Sequence, residues 1–205
     1  MRSLKKYLAI WLLVVTLPVA GQKWEKLDVK FNKLQGDREY TEAAKIAVKE
    51  VNYSLKRLDS TDIRYMRSYY NLALAYYSLE QLDQAKSYLY RAYWLMAPYY
   101  TLHSADFANV CDLYGQIETR HGFHDKAAEF LNYAKEAKAL LYGKNSFEYV
   151  SVLYHLAELE MARADWDQMV VVMEEALAIH EQHFEKDPDY AIPRSQSCNS
   201  ATSLG

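Results

Sequence analysis

Glycine is scarce, six in 205 residues, and the sharp loops on which catalytic side chains are usually hung depend on it. No GxSxG elbow, phosphate-binding loop or dinucleotide fingerprint occurs, and the lone serines and carboxylates show no recurring partnership. The chain is therefore expected to be no enzyme and to hold no cofactor. Cysteine is limited to Cys111, inside a helical pattern, and Cys198, in a polar stretch. Two such positions make no disulfide framework, and Cys111 reads as a small core residue. Six histidines offer one near-pair, His180 and His183 at i, i+3. Zinc would require further ligands and the HExxH spacing that HEQH lacks, so no metal site is expected. Positive charge is not in excess either: 24 Lys and Arg stand against 27 Asp and Glu, which excludes nucleic acid as the expected partner.

Long apolar runs are also missing, with one exception at the start. Arg2, Lys5 and Lys6 precede LAIWLLVVTLPVA, and small residues follow at Val19, Ala20 and Gly21. That order is a secretory signal over residues 1–21, with cleavage leaving Gln22 first. The run from Leu8 to Ala20 is 13 residues, short of the roughly 20 a spanning helix needs, so no stable anchor is expected after cleavage. Without Arg2, Lys5 and Lys6 the balance falls to 21 basic against 27 acidic residues. The expected location is outside the cytoplasm, periplasmic or secreted, in a bacterium.

What the chain has in abundance is self-similarity. Sliding it by 42 residues aligns Ala43, Ala85, Ala127 and Met169; Glu50, Ala92, Ala134 and Ala176; and Phe31, Ala73, Gly115 and Ala157. Tyr40, Leu82, His124 and Trp166 form another column, and Ala47, Leu89, Leu131 and Met173 one more. Between columns the period is helical, with Tyr69, Leu72, Ala73 and Tyr76 on one stripe and Leu82, Ala85, Leu89 and Ala92 on the next. A turn near Glu80–Gln81, matched by Gly122 one repeat later, separates the two stripes. Each repeat is thus a helix hairpin that can bury its apolar faces only by stacking on its neighbours. Small residues mark where one helix backbone lies against the next.

These residues resemble the tetratricopeptide repeat (TPR) family, in which a small residue, an aromatic, a glycine and two alanines recur at set places. Ala73, Tyr76, Ala85 and Ala92 fit that pattern, as do Gly115, Gly122, Ala127 and Ala134. Met169 for Ala, Glu118 and Glu160 for Tyr, and Glu50 in the first repeat depart from it. The usual period is about 34 residues, and the longer period here is similar to that of kinesin light chains and many bacterial arrays. The implied fold is all-α, a right-handed superhelical solenoid of stacked helix hairpins. Four repeats are expected at about 24–65, 66–107, 108–149 and 150–191, with DPDYA at 187–191 similar to a repeat opening. A disordered or aberrant tail is expected over 192–205, because Pro193 falls in the first turns of the next helix and polar residues follow.

The resemblance also implies a binding face, since the first helix of each such hairpin lines a concave groove. In the register of this sequence that face holds Arg67, Tyr70, Asn71 and Tyr77; then Asn109, Asp112, Gln116 and Arg120; then Ser151, Tyr154, His155 and Glu158. Aromatics, amides and both charge signs together suit an extended peptide. The family's basic clamp for a terminal carboxylate is not reproduced. The expected function is an exported interaction module that binds a protein or peptide in its groove. The alternative is the sensor or scaffold part of a larger enzyme, because similar bacterial arrays are joined to CHAT-type peptidase domains. No capping helix is visible after residue 191, so Trp166, Met169, Met173 and Ala176 are expected to leave an apolar face that promotes end-to-end self-association.

Overall fold

The computed structural model describes residues 22–100 and 103–183. The signal and the 192–205 tail lie outside these residues. Eight helices follow one another: α1 over 22–36, α2 Tyr40–Arg57, α3 Ile63–Ser78, α4 Leu82–Met96, α5 Ala105–Arg120, α6 His124–Tyr142, α7 Phe147–Ala162 and α8 Trp166–His183. They pair as the hairpins α1/α2, α3/α4, α5/α6 and α7/α8. No strand occurs among the described residues, and none of their helices is long and apolar enough to cross a membrane.

The repeat is written into the backbone as well as the side chains. Asp62, Ser104 and Ser146, each 42 residues apart, cap the first helices of three hairpins. Their side chains accept from the N–H of Arg64, Phe107 and Tyr149, satisfying donors that a helix start leaves open. The turn inside each hairpin is a second column. Arg38, Glu80, Gly122 and Ala164 all have φ between 60° and 79°. Around each, the next N–H reaches back five residues, as Gln81 N–H does to Tyr76 C=O and Phe123 N–H to Glu118 C=O. This is the Schellman closure, in which a left-handed residue ends the helix. Only the third hairpin places a glycine there.

The alanine columns lie at the helix crossings. Ala43, Ala85 and Ala127 are completely buried, and so are Ala92, Ala134 and Ala176. Gly115 marks the tightest approach: a Cβ there would overlap Leu131 Cγ and stand 2.7 Å from Leu131 Cδ2. Gly115→Ala is expected to destabilise the chain by about 1–3 kcal/mol, because the strain of forcing α5 away from the buried Leu131 exceeds the gain in helix propensity. Urea unfolding checks this. An unchanged or higher midpoint would mean that α6 yields freely.

Each second helix packs on the first helix of the next hairpin, as α2 does on α3, α4 on α5 and α6 on α7. In addition the α3 backbone approaches α5 and the α5 backbone approaches α7, whereas no such backbone approach joins α2, α4, α6 and α8, and α4 meets α6 through the Tyr93 and Phe130 rings, 5.5 Å apart. The first helices are therefore the closer-spaced row and lie on the inside of the curve.

The three joints between hairpins are chemically different. At the first, Asn71 uses both amide protons, one to Asp28 Oδ1 and one to Glu50 Oε2, each at 2.9 Å. Beside them Trp24 Nε1 donates to Ser68 Oγ at 2.8 Å, and Ser68 meets Ser54 at 2.7 Å. The second joint is mainly aromatic. The Tyr93 ring lies 5.5 Å from Phe107 and 5.9 Å from Tyr114, which stacks on Phe130 at 4.5 Å. At its edge the fully buried Glu118 carboxylate joins Lys86 of α4 to Lys126 of α6, at 2.8 and 2.7 Å. The third joint is ionic: Asp112 of α5 accepts from Lys138 of α6 and pairs with His155 of α7, both at 2.6 Å.

Candidate peptide-binding groove

The inner row formed by α3, α5 and α7 carries every residue expected to face a ligand, but not all of them point outward. Asn71 and Asp112 are buried in the first and third joints. Arg67, Tyr70, Tyr77, Asn109, Gln116, Ser151, Tyr154 and His155 are half-buried, and Arg120 and Glu158 are exposed. Asn71 and Asp112 turn inward because a polar partner waits on the neighbouring first helix 43 residues away, Asp28 for Asn71 and His155 for Asp112.

The same accounting applies to the cations. Arg67 grips Asp106 with two parallel bonds, Nε to Oδ1 at 2.8 Å and Nη2 to Oδ2 at 2.9 Å. Arg120 pairs with Glu80 and lies over the Tyr77 ring. His155 is held by Asp112, which in turn is held by Lys138. Asp106, Glu80 and Lys138 were not among the expected site residues, although each completes the charge of one that was.

Burial alone would raise the Asp112 carboxyl, but the His155 and Lys138 charges overcome it and hold it far below the ordinary carboxylate range. Burial works to lower His155, and Asp112 overrides it, so the imidazolium is favoured. Burial pushes the Tyr70 phenol well up, with Asp112 and Asp106 adding to the shift. Tyr70 is accordingly a neutral aromatic surface across the whole working pH range.

What remains on the inner row is aromatic and amide surface with its cations already neutralised. Asn109 makes no side-chain hydrogen bond to the described residues, and Gln116 donates only a long bond, 3.3 Å, to Asp112. Among the described residues no group of three His, Cys, Asp or Glu is placed to hold a metal ion. Cys111 is buried, and burial pushes its thiol up to about 12, which leaves it no nucleophile.

No known protein-family profile matches the sequence. No curated protein matches it either. Solved structures do. BtubC (BKLC) from P. vanneervenii superposes with a TM-score of 0.70 at 22% identity, covering 84% of this chain and 68% of that one. Kinesin light chain-type TPR-like repeats from Podosopora anserina superpose with a TM-score of 0.57 at 17% identity, covering 76% and 74%. A singly substituted form of that repeat protein gives a TM-score of 0.59 at 17% identity, covering 74% and 72%. At these identities the likeness is one of fold, and it agrees with the hairpins, turns and crossings above: the chain is a TPR-like solenoid of stacked helix hairpins.

Proposed function

We propose that this chain is an exported, non-catalytic interaction protein that holds an extended peptide or protein segment along the inner row of α3, α5 and α7. One observation carries the reading. Tyr70, Tyr77 and Tyr154 recur along the row with Asn109 and Gln116 beside them, while Arg67, Arg120 and His155 are each matched by an internal acid. Such a face offers ring contacts to side chains and amides to a peptide backbone. It lacks an uncommitted cation at these positions for a terminal carboxylate or phosphate, so the segment it fits is internal and of low charge. Export rests on the N-terminal sequence alone, Arg2, Lys5 and Lys6 followed by the apolar run.

Crosslinking in the native source, with mass spectrometry of the products and of the N-terminus, tests the reading. Replacing Tyr77, Asn109 and Tyr154 together by Ala is expected to weaken capture of the partner by about 2 kcal/mol or more with helicity unchanged. Partners captured equally by this variant would remove the inner row, and a chain still starting at Met1 would remove export.

A further inference from the structure

The two ends of the hairpin row are chemically opposite. Contacts inside the row identify which columns form a joint. On second helices Tyr93 meets Phe107 and Tyr114, Lys86 meets Glu118, and Glu50 meets Asn71. On first helices the same contacts identify Phe107 and Tyr114, together with Ser68 and Asn71.

At the leading end these first-helix columns are occupied by Lys23, Lys26, Val29 and Lys30 of α1, all exposed. Three ammonium groups stand where the internal hairpins put Phe107, Tyr114 and Ser68, so this end is a polar cap. At the trailing end the second-helix columns are occupied by Val170 and Leu177 of α8, 47% and 43% exposed, with Trp166 at 57%. Met173 is half-buried, whereas Ala47, Leu89 and Leu131 in its column are completely covered. Ala176, expected to share this open face, is instead buried inside the last hairpin.

Residues 184–205 bring no matching stripe. Continued by 42 residues, the joint columns of the first helices fall on Ala191, Arg194, Ser197 and Cys198. A head-to-tail second copy would set Lys23 and Lys30 against Leu177, burying ammonium groups on apolar surface. What does match α8 is α8. Trp166, Val170, Met173 and Leu177 are spaced four, three and four residues apart, and that spacing reads the same in both directions. In an antiparallel pair Trp166 therefore lies over Leu177 of the other copy, and Val170 over its Met173.

We propose that two copies of this chain pair tail to tail through α8, antiparallel about a two-fold axis that passes between Val170 and Met173. The contact is isologous, so it closes at the dimer and forms no fibre. It covers a few hundred Å² on each copy, less than the roughly 800 Å² of a standard stable interface, so the dimer is weak and concentration-dependent. Asp167, Glu174 and Glu181 flank the stripe on both copies, so salt strengthens the pair by screening like charges.

Site-specific disulfide trapping in the full chain carrying Cys198→Ser tests this without relying on bulk association. A Val170→Cys chain mixed with a Met173→Cys chain is expected to give a mixed disulfide dimer, with yield rising as salt is added. Leu177→Glu in both chains is expected to lower that yield about tenfold or more, with circular dichroism unchanged because the side chain is already partly exposed. A Lys30→Cys chain mixed with a Leu177→Cys chain is expected to give none, and Lys30→Glu to leave the first yield unaltered. Trapping between positions 30 and 177 would overturn the proposal in favour of a head-to-tail array. Absence of the 170–173 product, or its indifference to Leu177→Glu, would overturn it outright.

Discussion

Replacing Asp112 with alanine is expected to destabilise the folded chain by about 3–5 kcal/mol, because it leaves charges buried without their partner. The Lys138 side chain is 5% exposed, and the Asp112 carboxylate is the acceptor its ammonium uses, at 2.6 Å. His155 bonds the other carboxylate oxygen, so one substitution strands two groups. The triple change Asp112→Leu, Lys138→Met and His155→Leu is expected to cost far less than Asp112→Ala alone, since removing a whole buried set is often close to neutral. The pH dependence has a definite sign on each side. Asp112 is depressed in the folded chain, so its contribution is present above its unfolded value, about 3.9, and is lost as pH falls below that. His155 is raised, so its contribution is complete below about 6.5 and fades as pH rises through its folded value. Urea unfolding of the parent should show the triad at full strength between those limits. A single mutant as stable as the triple would show that the pair is wet and weak.

Glu50→Gln is expected to do the reverse and stabilise the chain at mildly alkaline pH by about 2–4 kcal/mol. Burial pushes the Glu50 carboxyl up to about 8, and the Asp28 charge adds to it against the opposing Asn71 bond and Arg67 charge. A group raised on folding contributes a penalty that is absent below its unfolded value of 4.5, grows as pH rises and is complete above about 8. Glutamine retains an oxygen for the Asn71 amide and carries no titrating proton. Stability should therefore fall between pH 4.5 and pH 8.5 by clearly more for the parent than for the variant, which keeps only the decline due to the other groups. Parallel curves would mean that Glu50 reaches water when it ionises.

The hairpins were legible in the sequence because crossing points demand small side chains, and Ala43, Ala85 and Ala127 therefore repeat in identity as well as in place. Of two other columns that repeat just as strictly, the turn was read at Glu80 and Gly122 alone, and the caps went unread. Arg38, Glu80, Gly122 and Ala164 share only a backbone angle, and Asp62, Ser104 and Ser146 share a capping bond rather than a residue type. The joints were illegible for a different reason. Asp28 with Asn71, Gln35 with Ser78, and Asp112 with His155 are each 43 residues apart. An offset of 42 aligns like with like, while a joint is made between unlike residues one step out of that register. The groove reading inherited this blindness, which is why Asn71 and Asp112 were expected on an open face. Tyr69 and Tyr76 were easier, since both fall on the helical stripe: Tyr69 is buried and Tyr76 stacks on Tyr88 with centroids 5.4 Å apart.

The four hairpins close with one backbone turn, but the three joints are built from different chemistry, and that difference breaks the symmetry of opening. In a solenoid whose units interact only with their neighbours, each joint is a separate weak point with its own response to conditions. Alkali charges Glu50 beside Asp28 at the first joint, and acid discharges Asp112 at the third. The aromatic contacts of the middle joint answer to neither, although acid discharges the Glu118 carboxylate at its edge. Base thus weakens the first joint through Glu50 and draws on the third through His155, while acid leaves the Glu50 contact uncharged and weakens the third joint through Asp112. Acid therefore frays this chain from its trailing side and spares the Glu50 contact at the leading joint.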